Sequence, residues 1–216
     1  MKGLRRIGKR GLGGLGVLMI VLTGVMIARR SIGYVPPVFE GFLHDKGSFF
    51  WSTPYFVAFF LHISVSPIIL MLGLFQFSHS LQRRISLHRA LGKTYVSLIL
   101  LVSAPSAMVM ALYATGGIWV NACFVLLSLG WWLSTWKGFQ TIRQGHLEGH
   151  RLWMIRSYTL TTSAVWLRVF SFLLWKCTDL PTSESYPIAA WGSWLLPLIL
   201  VECWLRMSPK SSTQAH

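Results

Sequence analysis

The chain has 216 residues, of which 53% are hydrophobic and only 12% charged, and its mean hydropathy is +0.54. Soluble domains carry about 25% charged residues, so this composition excludes an ordinary soluble enzyme and points to a helical membrane protein. The formal net charge is +14, but no basic run exceeds a few residues, which argues for charged loops on one membrane face and against nucleic-acid binding.

A transmembrane helix needs about 20 mostly apolar residues. Six stretches meet or approach that length: 12–28, 55–77, 94–114, 118–137, 153–175 and 186–205. The first follows Lys2, Arg5, Arg6, Lys9 and Arg10, the shape of a signal peptide. Its end offers no small-x-small cleavage site, and Arg29 and Arg30 close it, so it reads as an uncleaved anchor over residues 1–30. An outer loop, 31–53, contains Pro36 and Pro37. The second span carries His62 early and ends near Gln76. A basic hairpin with Arg83 and Arg84 leads to His88, Arg89 and Lys93, and the third span follows. Pro105 is expected to kink that third span, with Ser103 and Ser106 satisfying the freed carbonyls. After the fourth span comes a second His-Arg junction, His150-Arg151, with Arg156 close behind. The fifth span holds Arg168; the sixth holds Glu202, one turn before Arg206. Residues 177–206 form an outer loop and this last span, and 207–216 a tail.

Basic residues set the orientation. Of the 20 Lys and Arg, 15 fall on one side if six helices cross with both termini cytoplasmic. Four of the six acids (Glu40, Asp45, Asp179 and Glu184) fall on the other side. The expected location is a bacterial inner membrane, multi-pass, with the lipid bilayer as partner.

Polar groups inside spans carry the functional signal, because each is costly in hydrocarbon and calls for a partner. His62 lies about 12 Å below the outer end of the second span at 1.5 Å per residue. Arg168 lies at a similar depth in the fifth, and no acid occupies the outer half of any span. Helical spacing places Gly73 and Gln76 on the face of His62, and Thr161 and Ala164 on the face of Arg168. His150 projects onto that second face as well. Antiparallel packing would then pair His62 with Arg168 and Gln76 with His150. His146 and His150 stand at i and i+4, but the order is not that of a zinc protease, and Gly149 weakens the helix there. Cys123, Cys177 and Cys203 form no framework or metal spacing. A Cys123–Cys177 disulfide is geometrically possible and has no other support.

The motifs resemble a family of bacterial membrane proteins classed as domain of unknown function number 2306. The matching features are His62, the GLFQF segment from Gly73 to Phe77, and His88-Arg89 followed by Gly92 and Tyr95. They continue with His150-Arg151, then Trp153 to Tyr158 (WMIRSY), and with Leu167-Arg168. The resemblance covers about half the chain and leaves the first and last helices outside. It implies a four-helix core over 54–176 with flanking spans, and no activity. The expected class is therefore an all-α integral membrane protein of about six transmembrane helices.

Three functions compete, and no motif assigns a reaction. One is a redox bundle that binds b-type haem or a quinone, with His88 and His150 as axial ligands of a haem iron. The second is an outer-leaflet site at His62 and Arg168 for an anionic small molecule or lipid, in binding or transport. The third is a structural accessory subunit of a membrane complex. The candidate site residues are His62, Gln76, His88, Arg89, His150, Arg151, Arg156 and Arg168.

Overall fold

A computed structural model describes residues 2–34, 50 and 54–207, with the backbone alone for 2–13 and 15. Most of the expected outer loop and the tail from 208 lie outside the described residues. All described secondary structure is helical. The helices are α1 (Lys2–Ile32), α2 (Tyr55–Gln76), the short α3 (His79–Arg83), α4 (Ile85–Leu98), α5 (Ala104–Leu112), α6 (Ile118–Arg143), α7 (Leu147–Thr161), α8 (Ser163–Cys177) and α9 (Thr182–Met207).

Their surfaces run opposite to those of a soluble protein. Leu22, Val57, Ile68, Leu101, Leu126, Leu133, Ile199 and Leu200 are exposed. Ser103, Ser106, Ser128, Ser134, Thr135, Ser157 and Ser193 are buried. Small hydroxylated residues let helices approach closely and satisfy their own oxygens on nearby carbonyls, and apolar side chains face lipid. Ser128 donates to the Phe124 carbonyl, Thr135 to Trp131 and Ser193 to Ala190.

Four stretches are long and apolar enough to cross a membrane: Tyr55–Gln76, Ile85–Leu112, Ile118–Arg143 and Thr182–Met207. The second starts nine residues earlier than the apolar run at 94 suggests, because the basic segment with His88, Arg89 and Lys93 is already helical. It joins α4 to α5 through one π-helical segment, Ile99–Ser103. Pro105 falls in the first turn of α5, which runs on without a break from the π-helical segment. The strain expected at this proline is therefore taken up by a π-helical widening one turn earlier. The expected fifth span is divided at Thr162 into α7 and α8.

α6 and α7 are joined by Gln144–His146 and form the most extensive helix pair. Gly145 supplies the positive φ, 79°, that this tight turn needs. α9 packs on α8, α7 and α6, while α2 packs on α1, α4, α5 and α7. The main core gathers Ile69, Tyr95, Ile99, Cys123, Trp131, Leu160 and Trp194 where these helices meet.

Candidate functional site

Between α1, α2, α5, α6, α7, α8 and α9 the packing leaves a cavity of about 360 Å³. His62 and Ser66 reach it from α2, Phe124, Ser128 and Trp131 from α6, Thr161 from α7, Ala164 and Arg168 from α8, and Tyr186 from α9. His62 and Arg168 both line this space, but the pairing expected between them is not made: His62 bonds Ser103 and Arg168 bonds its own helix.

His62 is held by the π-helical segment opposite. Its Nδ1 is 3.0 Å from the Ser103 carbonyl oxygen and 3.2 Å from Ser103 Oγ. A carbonyl only accepts, so Nδ1 carries the proton. Ser106 donates to the same carbonyl at 3.0 Å, and Ser66 Oγ meets Ser103 Oγ at 3.2 Å. The two serines do not take a carbonyl freed by Pro105 as expected: Ser106 holds the carbonyl of Ser103, which also orients the histidine, and the Leu100 carbonyl, a turn before the proline, accepts from Trp132 Nε1 at 3.2 Å.

Arg168 is exposed and donates from Nη1 to the Ala164 carbonyl of its own helix, 2.6 Å away. Arg30 and Tyr34 at the end of α1 lie in electrostatic range of it. Among the described residues no carboxylate pairs with Arg168. A guanidinium has five N–H donors, so this one bond leaves most of its capacity open.

A buried polar network borders the cavity at Trp131 and Thr161. Trp131 Nε1 donates to Thr161 Oγ1 at 2.9 Å, and Thr161 donates to the Ser157 carbonyl. Thr135 donates to the Trp131 carbonyl at 2.8 Å, so the 2.8 Å contact between Ser157 and Thr135 has Ser157 as donor. The Tyr95 hydroxyl is then the donor shared between Thr161, at 2.9 Å, and Ser157, at 3.2 Å. Sequence reasoning missed Trp131 and Thr135 as polar partners. Nothing in a Trp or Thr inside an apolar run marks it as a partner for residues on another helix.

The second polar level is arranged differently from expectation. Gln76 does not pair with His150. Its Oε1 packs against Gly92, whose missing side chain leaves the room, and its Nε2 is buried without a partner. His150 donates from Nδ1 to the Gly138 carbonyl at 2.8 Å. His88 lies in electrostatic range of His150, and its own Nδ1 is buried and unpartnered. Arg89 and Arg151 are exposed. Arg156 makes a two-point ion pair with Glu202, Nε to Oε1 at 2.5 Å and Nη2 to Oε2 at 3.0 Å. Glu202 is therefore joined to α7, and not only to Arg206 one turn along its own helix. Cys123, Cys177 and Cys203 are all free thiols, with Cys123 buried under Trp194. Among the described residues no group of three or more His, Cys, Asp or Glu forms a metal cluster.

Apolar exterior, hydroxyl-rich interior and four spanning stretches define a multi-span helical membrane protein. The chain belongs to the predicted membrane protein family DUF2306, whose family model matches residues 59–205. That match takes in α9, which the sequence motifs alone leave outside the resemblance, and α9 is the helix that supplies Glu202 to Arg156. No curated protein and no solved structure matches the chain.

Proposed function

We propose that the protein binds an amphipathic small molecule inside the membrane, with its apolar body in the central cavity and an anionic or acceptor-rich group at Arg168. One observation carries this reading: a cavity of about 360 Å³ is lined on one side, taken here as its mouth, by an exposed guanidinium that has no carboxylate partner among the described residues. Binding pockets for small molecules run from about 300 Å³ upward and are mostly apolar with a few placed polar groups. Arg30 beside Arg168 adds positive potential, which a ligand anion relieves. With both termini cytoplasmic, this mouth lies in the outer leaflet, and the protein sits in an inner membrane with six crossings, α1 and the α7–α8 pair adding to the four long spans.

A haem held by His88 and His150 has less support. The cavity is lined by His62 and Arg168 and by neither of those two histidines. An accessory-subunit role accounts for the hydroxyl network but leaves both the cavity and Arg168 unused.

The test is the content of the purified protein. Wild type, Arg168→Leu and a cavity-filling Ala107→Phe, at a residue of α5 that lines the space, are extracted with organic solvent and analysed by mass spectrometry. The expected result is an amphipathic molecule that accompanies wild type and is depleted in both variants. Equal content in all three overturns the reading.

A further inference from the structure

The His62 side of the cavity has its own chemistry, and it differs from that at Arg168. His62 Nδ1 is committed to the Ser103 carbonyl, so in the neutral ring Nε2 is a bare acceptor. Among the described residues Nε2 has no partner, yet it is not among the fully buried unpaired atoms. His62 itself lines the cavity. The neighbouring hydroxyls do not turn towards it: Ser106 donates to the Ser103 carbonyl, and Ser66 is engaged with Ser103. The His62 side therefore presents one acceptor with no donor among the described residues.

The walls say what sort of body brings that donor. Tyr55, Phe124, Trp131 and Tyr186 surround the space, and flat aromatic faces favour a flat ring. A cavity of about 150 Å³ is known to hold one benzene ring, and this one is about 360 Å³. It has room for one substituted ring and the start of a chain, and is too small for a porphyrin.

We infer that the cavity takes a hydroxyl-bearing aromatic ring of the phenol or hydroquinone class, whose O–H donates to Nε2 of His62. The inference rests on the cavity reading above and adds the identity of the group at His62. A ring whose oxygen is a carbonyl or ether leaves Nε2 unpaired in an apolar space, and such a loss weakens binding by about tenfold or more.

Two probes isolate the donor: 4-hexylphenol and its methyl ether, 4-hexylanisole. Binding is measured by equilibrium dialysis against protein in lipid nanodiscs, with empty nanodiscs subtracted. Wild type is expected to bind the phenol about tenfold more tightly than the ether. His62→Phe is expected to keep the ether affinity and lose the preference. A second readout needs no variant: in protein with nitrogen-labelled histidine, the unprotonated imidazole nitrogen signal of His62 shifts on adding the phenol and stays on adding the ether. Equal wild-type affinity for both probes, or a preference that survives in His62→Phe, overturns the inference and leaves the cavity reading standing. If neither probe binds, or if Ala107→Phe binds both as well as wild type does, the cavity reading falls and the inference with it.

Discussion

Gly73 on α2 lies directly beneath the ring of Tyr158 on α7. A Cβ at Gly73 would stand 2.3 Å from Tyr158 Cδ2 and 2.9 Å from Tyr95 Cε2. Neither ring is free to retreat. Tyr158 donates its hydroxyl to the Leu70 carbonyl, and Tyr95 is fully buried with its hydroxyl in the Ser157–Thr161 network. Gly73→Ala is therefore expected to destabilise the bundle by about 1–3 kcal/mol through overpacking, in spite of alanine's better helix propensity. Gly130→Ala is the control, since a Cβ there meets only Leu160 Cδ1 at 3.7 Å. Thermal unfolding in detergent should show a lower midpoint for the first variant and an unchanged or slightly raised one for the second.

Tyr95→Phe removes one donor and leaves its two acceptors otherwise satisfied. Thr161 still receives the Trp131 indole, and Ser157 still donates to Thr135. The expected cost is that of a single buried hydrogen bond, about 1 kcal/mol. Thr161→Val is expected to cost more, about 1–3 kcal/mol, because it strands the Trp131 N–H in the core. The same unfolding assay ranks them; an equal or reversed order would show that Thr161 is not the acceptor that holds the indole.

These contacts explain how much the sequence could tell. Depth and face were legible for His62 and Arg168, because a helix fixes both through its rise and its turn. Both do reach one cavity. The motif residues Gly73, Gly92, Tyr95, Ser157 and Tyr158 were legible as a recurring pattern but not as a set of contacts. Their meaning is that glycines accept rings and an amide from other helices, which is a property of the assembled bundle. The π-helical segment at Ile99–Ser103 was not legible either. Pro105 predicts a disturbance, but whether the helix bends or widens depends on what packs against it, here His62. The Gln76–His150 pairing failed for a related reason. Two residues on facing stripes meet only if the helices are close at that level, and at Gln76 the close neighbour is α4 at Gly92.

The Arg156–Glu202 pair ties α7 to α9, and the Arg156 guanidinium also lies 4.9 Å from the Trp153 ring. Both partners are partly exposed, at 23% and 32%, so screening reduces the strength of the pair relative to a fully buried one. Removing one partner still leaves a charge in a low-dielectric zone. Glu202→Leu is expected to cost about 1–3 kcal/mol, and the double variant Arg156→Leu with Glu202→Leu about 1 kcal/mol or less. A double-variant cycle by thermal unfolding measures the coupling. If the single and double variants are equally destabilised, the pair contributes nothing beyond the packing of Glu202.

The free cysteines test the proposed orientation. Cys177 is exposed at the end of α8, and Cys203 is exposed near the other end of the following helix, α9. Cys123 is buried and accepts from the Trp194 indole, so it should resist labelling from either side. If both termini are cytoplasmic, α8 ends on the outer side, and basic residues collect on the inner side as the positive-inside bias requires. A membrane-impermeant maleimide added to spheroplasts should then label the wild-type protein once, and Cys177→Ser should abolish that labelling. Cys203 should react only after permeabilisation, and slowly, because lipid shields it. Labelling of Cys177 that appears only after permeabilisation would invert the orientation. It would place Arg168 and the cavity mouth in the inner leaflet, and the ligand would then have to enter from the cytoplasmic side.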